Sequence, residues 1–226
     1  MKTLVGVLAE PPLPGVSKTR LLAAYGPDWV AGLSAAMLRD MLDGAQAIDA
    51  DDYVVLTTSK PSSQEALEVL VRHVPVPWKL VAQPDEERGS RIAHAFATLA
   101  ERAGEGSPPL LLFTADAPSF DIGPLTEALA TGVPDRELLI APTEAGEVWA
   151  LAASRFDPGI LRDLPWGTPA LVETMRLRSR ELGIAIREVP AWYSIEEPSD
   201  VYRLLDEIRK HPDRAPRSAQ FLVTHA

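Results

Sequence analysis

Short apolar runs alternate with helix-patterned stretches along almost the whole chain, and no other feature of the sequence constrains the fold as much. Leu4 to Ala9, Tyr53 to Thr57, Trp78 to Ala82 and Pro109 to Thr114 read as strands. The last is nearly unbroken in apolar character, as expected of a strand covered on both faces. Helical patterns lie between them. Asp28 to Ile48 carries Val30, Leu33, Met37, Met41 and Leu42 at near-helical spacing, and Gly89 to Arg102 carries Ile92, Phe96 and Leu99 on one face. A third begins at the capping box Ser62 to Glu65 and runs to about His73. This order predicts an α/β fold with a mostly parallel central sheet, helices on both faces, and ligands at the carboxyl ends of the strands.

The second half changes character. Leu138 to Ala141 and Val148 to Ala152 are strand-like runs separated only by Pro142 to Glu147, too short for a crossover helix. A small antiparallel excursion is therefore expected. Thr168-Pro169 reads as a cap followed by Pro at the first helical position of a helix through Leu171, Met175 and Leu182. Ile184 to Val189 is the last strand, and Pro198 opens a helix through Val201, Leu204, Leu205 and Ile208. With 226 residues, 46% of them hydrophobic, the chain can bury one sizeable core. One domain is expected over residues 1–210, and the Pro, Arg and Ser content after His211 predicts a weakly ordered tail over 211–226.

Composition excludes several functions. A net charge of -10 opposes binding to nucleic-acid polymers or anionic membranes, while leaving room for a small anion at a local basic patch. With no cysteine there are neither disulfides nor thiolate metal sites, and the four histidines lack zinc-ligand spacing. No Gly-x-Ser-x-Gly nucleophile elbow occurs. The N-terminal apolar run stops at Glu10 and no run approaches membrane-spanning length, so a cytoplasmic protein is expected. Oligomeric state is not legible.

Residues 12–21, Pro-Leu-Pro-Gly-Val-Ser-Lys-Thr-Arg-Leu, follow the first strand and carry two cations. If Ser17 caps a helix, Lys18 and Arg20 fall in its first turn, where the helix dipole disfavours positive charge unless an anion compensates. On a helix the two side chains point about 200° apart, but in an extended segment they share a side. A shared phosphate thus favours a loop that turns helical only near Leu21. A solvated basic turn is the competing reading. The segment is neither a P-loop nor a dinucleotide fingerprint, since Leu13 stands where the first glycine is needed and only one glycine occurs.

Asp116 leaves the sheet at the carboxyl end of the fourth strand, within Thr114-Ala115-Asp116-Ala117-Pro118. It is a candidate ligand for Mg2+ or Mn2+, or else a turn cap fixed by Pro118. Glu144, Glu147, Glu196, Glu197 and Asp200 are candidate second carboxylates, although those before the last helix also suit its dipole. Trp149, Trp166 and Trp192 are core or pocket-wall residues.

In order and spacing, residues 3–208 resemble the small bacterial GT-A-fold glycosyltransferase-like proteins of the nucleotide-diphospho-sugar transferase superfamily, relatives of phospholactate guanylyltransferase-type nucleotidyltransferases. The resemblance is carried by Gly15-Val16-Ser17-Lys18-Thr19-Arg20-Leu21, Gln83 with Gly89-Ser90-Arg91, Thr114-Ala115-Asp116-Ala117-Pro118, and Trp166-Gly167-Thr168-Pro169. It implies a Rossmann-like GT-A fold and a transferase acting on a nucleotide or nucleotide-sugar and a small-molecule acceptor. Ala9, Gly15, Lys18, Arg20, Gln83 and Arg91 would face the nucleotide and its phosphates. Lys18 and Asp116 would be catalytic, Asp116 with Glu196 would hold Mg2+ or Mn2+, and Glu144, Glu147 and Trp149 would be accessory. Glycosyl and nucleotidyl transfer both fit. The chain departs from the pattern at Glu10 and Val16, where cations are expected, and at Ala115, Ala145 and Ser194, where acids are expected. These departures keep open a catalytically degenerate ligand-binding or interaction protein.

Overall fold

The computed structural model describes residues 3–58, 64–84, 86–104, 108–114 and 116–225. Seven strands, β1 (Thr3–Ala9), β2 (Ala50–Thr58), β3 (Lys79–Gln83), β4 (Leu110–Thr114), β5 (Glu137–Pro142), β6 (Val148–Ala153) and β7 (Ala185–Glu188), form one sheet in the order β3-β2-β1-β4-β6-β5-β7. β1 pairs in parallel with β2 and β4, β2 with β3, and β5 with β7, while β6 runs antiparallel to both β4 and β5. The short 142–147 connection forces that reversal. The fold is the expected α/β class with its antiparallel excursion, whose second strand, β6, inserts between β4 and β5 rather than hanging from an edge.

Helices α1 (Pro27–Ala45), α2 (Gln64–His73), α3 (Arg88–Ala103), α4 (Ile122–Ala130), α5 (Leu171–Leu182), α6 (Pro198–Lys210) and α7 (Pro216–Thr224) surround the sheet. The strand alternation divides the core. Val5, Val7, Val55, Leu111 and Phe113 face a layer holding Met41, Leu42 and Leu125 of α1 and α4. Leu4, Val54, Leu56, Leu110 and Leu112 face Ile92, Phe96 and Leu99 of α3 and Leu171 and Met175 of α5. Gly6 permits this packing, because a Cβ there would lie 2.9 Å from Leu56 Cδ1 and 3.2 Å from Leu99 Cδ1. A third cluster joins α1, α6 and α7 through Leu33, Met37, Leu204 and Leu222.

Two expectations are corrected, one of two open readings of residues 12–21 is decided in favour of the loop, and one helix was not expected. Ser17 is not a helix cap: Lys18 takes a left-handed conformation (φ 51°, ψ 43°) before a single 3-10 turn at Thr19–Ala23, and α1 starts only at Pro27. The helix expected from Pro169 begins at Leu171, with the Thr168 hydroxyl donating instead to the Pro165 carbonyl at 2.8 Å. α4 went unforeseen because its 9 residues are too few to display a period. The expected weakly ordered tail contains α7, which docks on α1. Buried Asp40 accepts the Arg217 and Ser218 backbone N–H groups at 2.9 and 2.8 Å, and Phe221 meets Trp29 edge-on at 5.4 Å. A Cβ at Gly32 would come within 2.4 Å of Phe221 Cε2, so glycine there makes room for the ring. The Ser62 capping box lies outside the described residues, as does Ala115.

Candidate functional site

β1 and β4 are neighbours whose chains leave in opposite lateral directions, β1 toward β2 and β4 toward the excursion. The crevice beyond their carboxyl ends is where this topology collects ligands. It opens as a cleft of two lobes, about 360 and 510 Å³, sharing a seam of Arg20, Arg88, Thr114, Asp116 and Glu196.

The seam is an ion cluster. Lys18 Nζ donates to Asp116 Oδ1 and, at 3.3 Å, to Glu196 Oε1. The left-handed backbone of Lys18, which costs roughly 1–2 kcal/mol outside glycine, aims the ammonium inward, and its side chain is only 10% exposed. Asp116 is delivered by the end of β4. Glu196 arrives from the far side of the chain because the Ile195 N–H donates to the Asp116 carbonyl at 2.8 Å, while Asp200 Oδ2 accepts the Glu196 and Glu197 N–H groups at 2.9 and 2.8 Å. Glu197 and Asp200 form the capping box of α6, the structural role their position suggested.

Burial opposes charge on all three groups, and their neighbours decide the outcome. The Lys18 ammonium is held above its ordinary value because Asp116 and then Glu196 outweigh the desolvation. Asp116 is held below its ordinary range, the desolvation being outweighed by Lys18 and then Arg88. Glu196 is raised, since desolvation exceeds the pull of a lysine lying closer to Asp116.

Arg88, at the first position of α3, joins the seam without having stood out in the sequence. Its guanidinium lies 3.9 Å from Asp116 Oδ2 and 3.6 Å from Glu147 Oε2, and 5.6 Å from the Trp166 ring centroid. The signal was its adjacency to Gly89-Ser90-Arg91. A Cβ at Gly89 would sit 3.1 Å from Trp166 Nε1, so this glycine brings Trp166 up to the start of α3.

Ala9, Lys18, Arg20 and Arg91 line the first lobe, with Glu10. Glu10 Oε1 is 3.7 Å from Arg91 Nη1. Gly15, at φ 75°, turns the preceding loop but is not part of the lobe's wall. Gln83 is buried and does not line the cleft: its amide nitrogen donates to the Arg91 carbonyl at 3.0 Å, which positions α3. The second lobe contains Glu144 and Glu147. Arg203 binds both oxygens of Glu144 and holds its carboxyl below the usual range. Gly167 N–H donates to Glu147 Oε1 at 2.5 Å. Gly146, at φ 85°, lets that segment close down, since a Cβ there would run into Pro169. Trp149 belongs to neither lobe. It is 1% exposed, in the core with Phe113 and Phe120, which corrects its expected accessory role.

The fold is a Rossmann-like α/β fold of the GT-A type. The chain belongs to the family described as uncharacterized protein conserved in bacteria (DUF2064), whose model matches residues 41–168. That span includes Arg88, Arg91, Asp116 and Glu147, and leaves Lys18 and Glu196 outside. No curated protein matches the sequence. Among solved structures, the chain is similar to a candidate nucleotide-diphospho-sugar transferase from Desulfovibrio desulfuricans G20, with 20% identity, a TM-score of 0.75, and 98% of this chain and 99% of that one covered. It is similar to 4-diphosphocytidyl-2C-methyl-D-erythritol synthase, at 13% identity, TM-score 0.59, and 92% and 99% coverage. It is also similar to the inositol-1-phosphate CTP transferase from T. maritima, at 11% identity, TM-score 0.51, and 93% and 97% coverage. At these identities the likeness is one of fold.

Proposed function

We propose that the protein is a transferase acting on a nucleotide-activated donor, with the nucleotide phosphates in the first lobe and a small-molecule acceptor in the second. The observation that carries this is the convergence of Lys18, Asp116, Glu196 and Arg88 on the seam between two lobes, over the carboxyl ends of β1 and β4. Lys18, Arg20, Arg88 and Arg91 are the phosphate-facing cations, and the backbone of Ala9 and the Gly15 turn shape that side. The solved relatives whose names include a CTP transferase and a nucleotide-diphospho-sugar transferase support a nucleotide as substrate.

The donor set fits Mg2+ or Mn2+. Asp116 and Glu196 point their oxygens at one common cation, and two carboxylates completed by substrate phosphates are what such hard ions use. No group of three or more His, Cys, Asp or Glu side chains suited to a metal occurs among the described residues, and in this reading the substrate phosphates would complete the set. Bound there, a divalent ion would neutralise charge on the departing phosphate or pyrophosphate. Lys18, released from the carboxylates, turns to the phosphates. Arg88 stabilises charge as it develops on the leaving group. Gln83 acts by positioning α3, and thereby Arg91. No helix among the described residues is long and apolar enough to cross a membrane.

Calorimetry with nucleoside triphosphates and nucleotide sugars, each with Mg2+ or Mn2+, tests the reading. Binding at millimolar affinity or better is expected, and none across the panel would sink it. Product analysis then separates the chemistries: pyrophosphate released from a triphosphate marks nucleotidyl transfer, and a nucleoside diphosphate released from a nucleotide sugar marks glycosyl transfer. One observation favours a catalytically degenerate binding protein instead. Glu10, standing where the resemblance expects a lysine, occupies Arg91 with a carboxylate. Nucleotide binding without turnover of any acceptor would decide for that alternative.

A further inference from the structure

From the charge on the two sides of the seam we infer the class of acceptor: a molecule bearing hydroxyl or amino groups and carrying no phosphate or carboxylate. The inference rests on the two-lobed reading given above. Six carboxylates and three arginines line the second lobe. The imbalance does not come from the seam, where a metal would neutralise Asp116 and Glu196. Away from the seam, among the described residues, Glu144, Glu147, Glu197 and Asp200 face Arg203 alone, Glu197 and Asp200 also capping α6 without losing their charge. Arg203 is also committed, with two nitrogens on Glu144 at 2.5 and 2.8 Å and its guanidinium 4.1 Å from the Tyr193 ring centroid. The first lobe lacks this excess: Lys18 belongs to the seam cluster, and away from the seam Arg91 balances Glu10 at 3.7 Å.

A phosphate ester in the second lobe therefore meets net negative charge with no uncommitted cation beyond the seam among the described residues, and like charges in a partly dehydrated cleft repel strongly. Hydroxyl and ammonium groups supply the donors that carboxylates accept. Glu147 provides the seat. Its Oε1 accepts Gly167 N–H, whereas its Oε2 is buried without a hydrogen-bond partner among the described residues, beneath Arg88 at 3.6 Å. Both Arg88 ion contacts, at 3.6 and 3.9 Å, exceed hydrogen-bond length. When Arg88 turns to the nucleotide phosphate it uncovers Glu147 Oε2 on the acceptor side, so filling the first lobe opens a hydrogen-bond acceptor in the second.

Glucose, glucosamine and glucose 1-phosphate are matched probes, titrated into the full-length protein by ligand-observed NMR, alone and with saturating CTP. At least one of the first two is expected to bind at least tenfold more tightly than the phosphate, about 1.4 kcal/mol. CTP should strengthen that binding, and the double variant Glu147→Gln with Glu197→Gln should narrow the ratio at least threefold. Glucosamine binding ahead of glucose assigns an amino acceptor, and equal binding assigns a hydroxyl acceptor. Equal or tighter binding of the phosphate, or no binding of either unphosphorylated probe at tens of millimolar, overturns the inference. CTP affinity, measured separately by calorimetry, keeps the two readings distinct. A preference for unphosphorylated probes without CTP binding sinks the nucleotide assignment alone, and CTP binding with a preference for the phosphate sinks the acceptor assignment alone.

Discussion

At the scale of single residues, Lys18 holds together carboxylates that would otherwise repel, and its removal should be visible in their titration. Burial alone raises a carboxyl, and Asp116 stays below its ordinary 3.8 only because Lys18 and Arg88 outweigh that effect. In chelator-treated protein, carbon-detected NMR should therefore place the Asp116 midpoint below 3.8 in the wild type and higher in Lys18→Met; an unmoved midpoint would contradict the ion-cluster description. The sign for stability follows. The Asp116 contribution is present above its unfolded value and lost as pH falls through the lower folded one. That of Lys18, raised above 10.5, is complete below 10.5 and lost as pH rises through the higher folded value. Lys18 also competes with any cation for the two carboxylates. Without nucleotide, Lys18→Ala should bind Mn2+ at least tenfold more tightly than wild type by electron paramagnetic resonance, while losing affinity for nucleotide.

At the scale of elements, α7 closes the molecule over α1, and a single carboxylate ties it down. Asp40 satisfies two N–H groups in the first turn of α7, donors that no residue of the helix itself can pair. Asp40→Ala should lower the unfolding free energy by about 1–2 kcal/mol in urea, without changing nucleotide affinity, because α7 lies away from the cleft. A measured loss below about 0.3 kcal/mol would mean the cap is dispensable. Gly32→Leu tests the same contact from the other side. The new side chain collides with Phe221, and a cost of about 1–3 kcal/mol is expected.

At the scale of the whole molecule, the sheet order carries the function. β4 lies beside β1, so the loop after the first strand and the acid after the fourth meet at one crevice although they are 98 residues apart in sequence. A ligand bridging both should stabilise the whole fold by mass action. CTP at 100 times its dissociation constant is expected to add about 2.7 kcal/mol to the unfolding free energy. Hydrogen-exchange protection should concentrate in residues 12–21 and 194–197. Uniform protection without emphasis on those segments would place the nucleotide elsewhere.

The alternation of apolar runs and helical patterns was sufficient for the fold class, because burial on both faces of a parallel sheet imposes a period visible locally. The antiparallel excursion was equally legible, since a connection of six residues admits no crossover. Lys18 and Asp116 were legible as charges placed after strands. What no local pattern contained was their meeting: Glu196 reaches Lys18 only through the Ile195–Asp116 backbone hydrogen bond and the α6 cap. The same holds for Arg88, whose neighbours Asp116, Glu147 and Trp166 come from three separate segments. The tail read as weakly ordered from its Pro, Arg and Ser content; a helix so short is not stable alone, and α1 supplies the surface that makes α7 stable. Periodicity is a property of neighbours in sequence. The charge balance of the cleft is a property of neighbours in space, which only the packed sheet brings together.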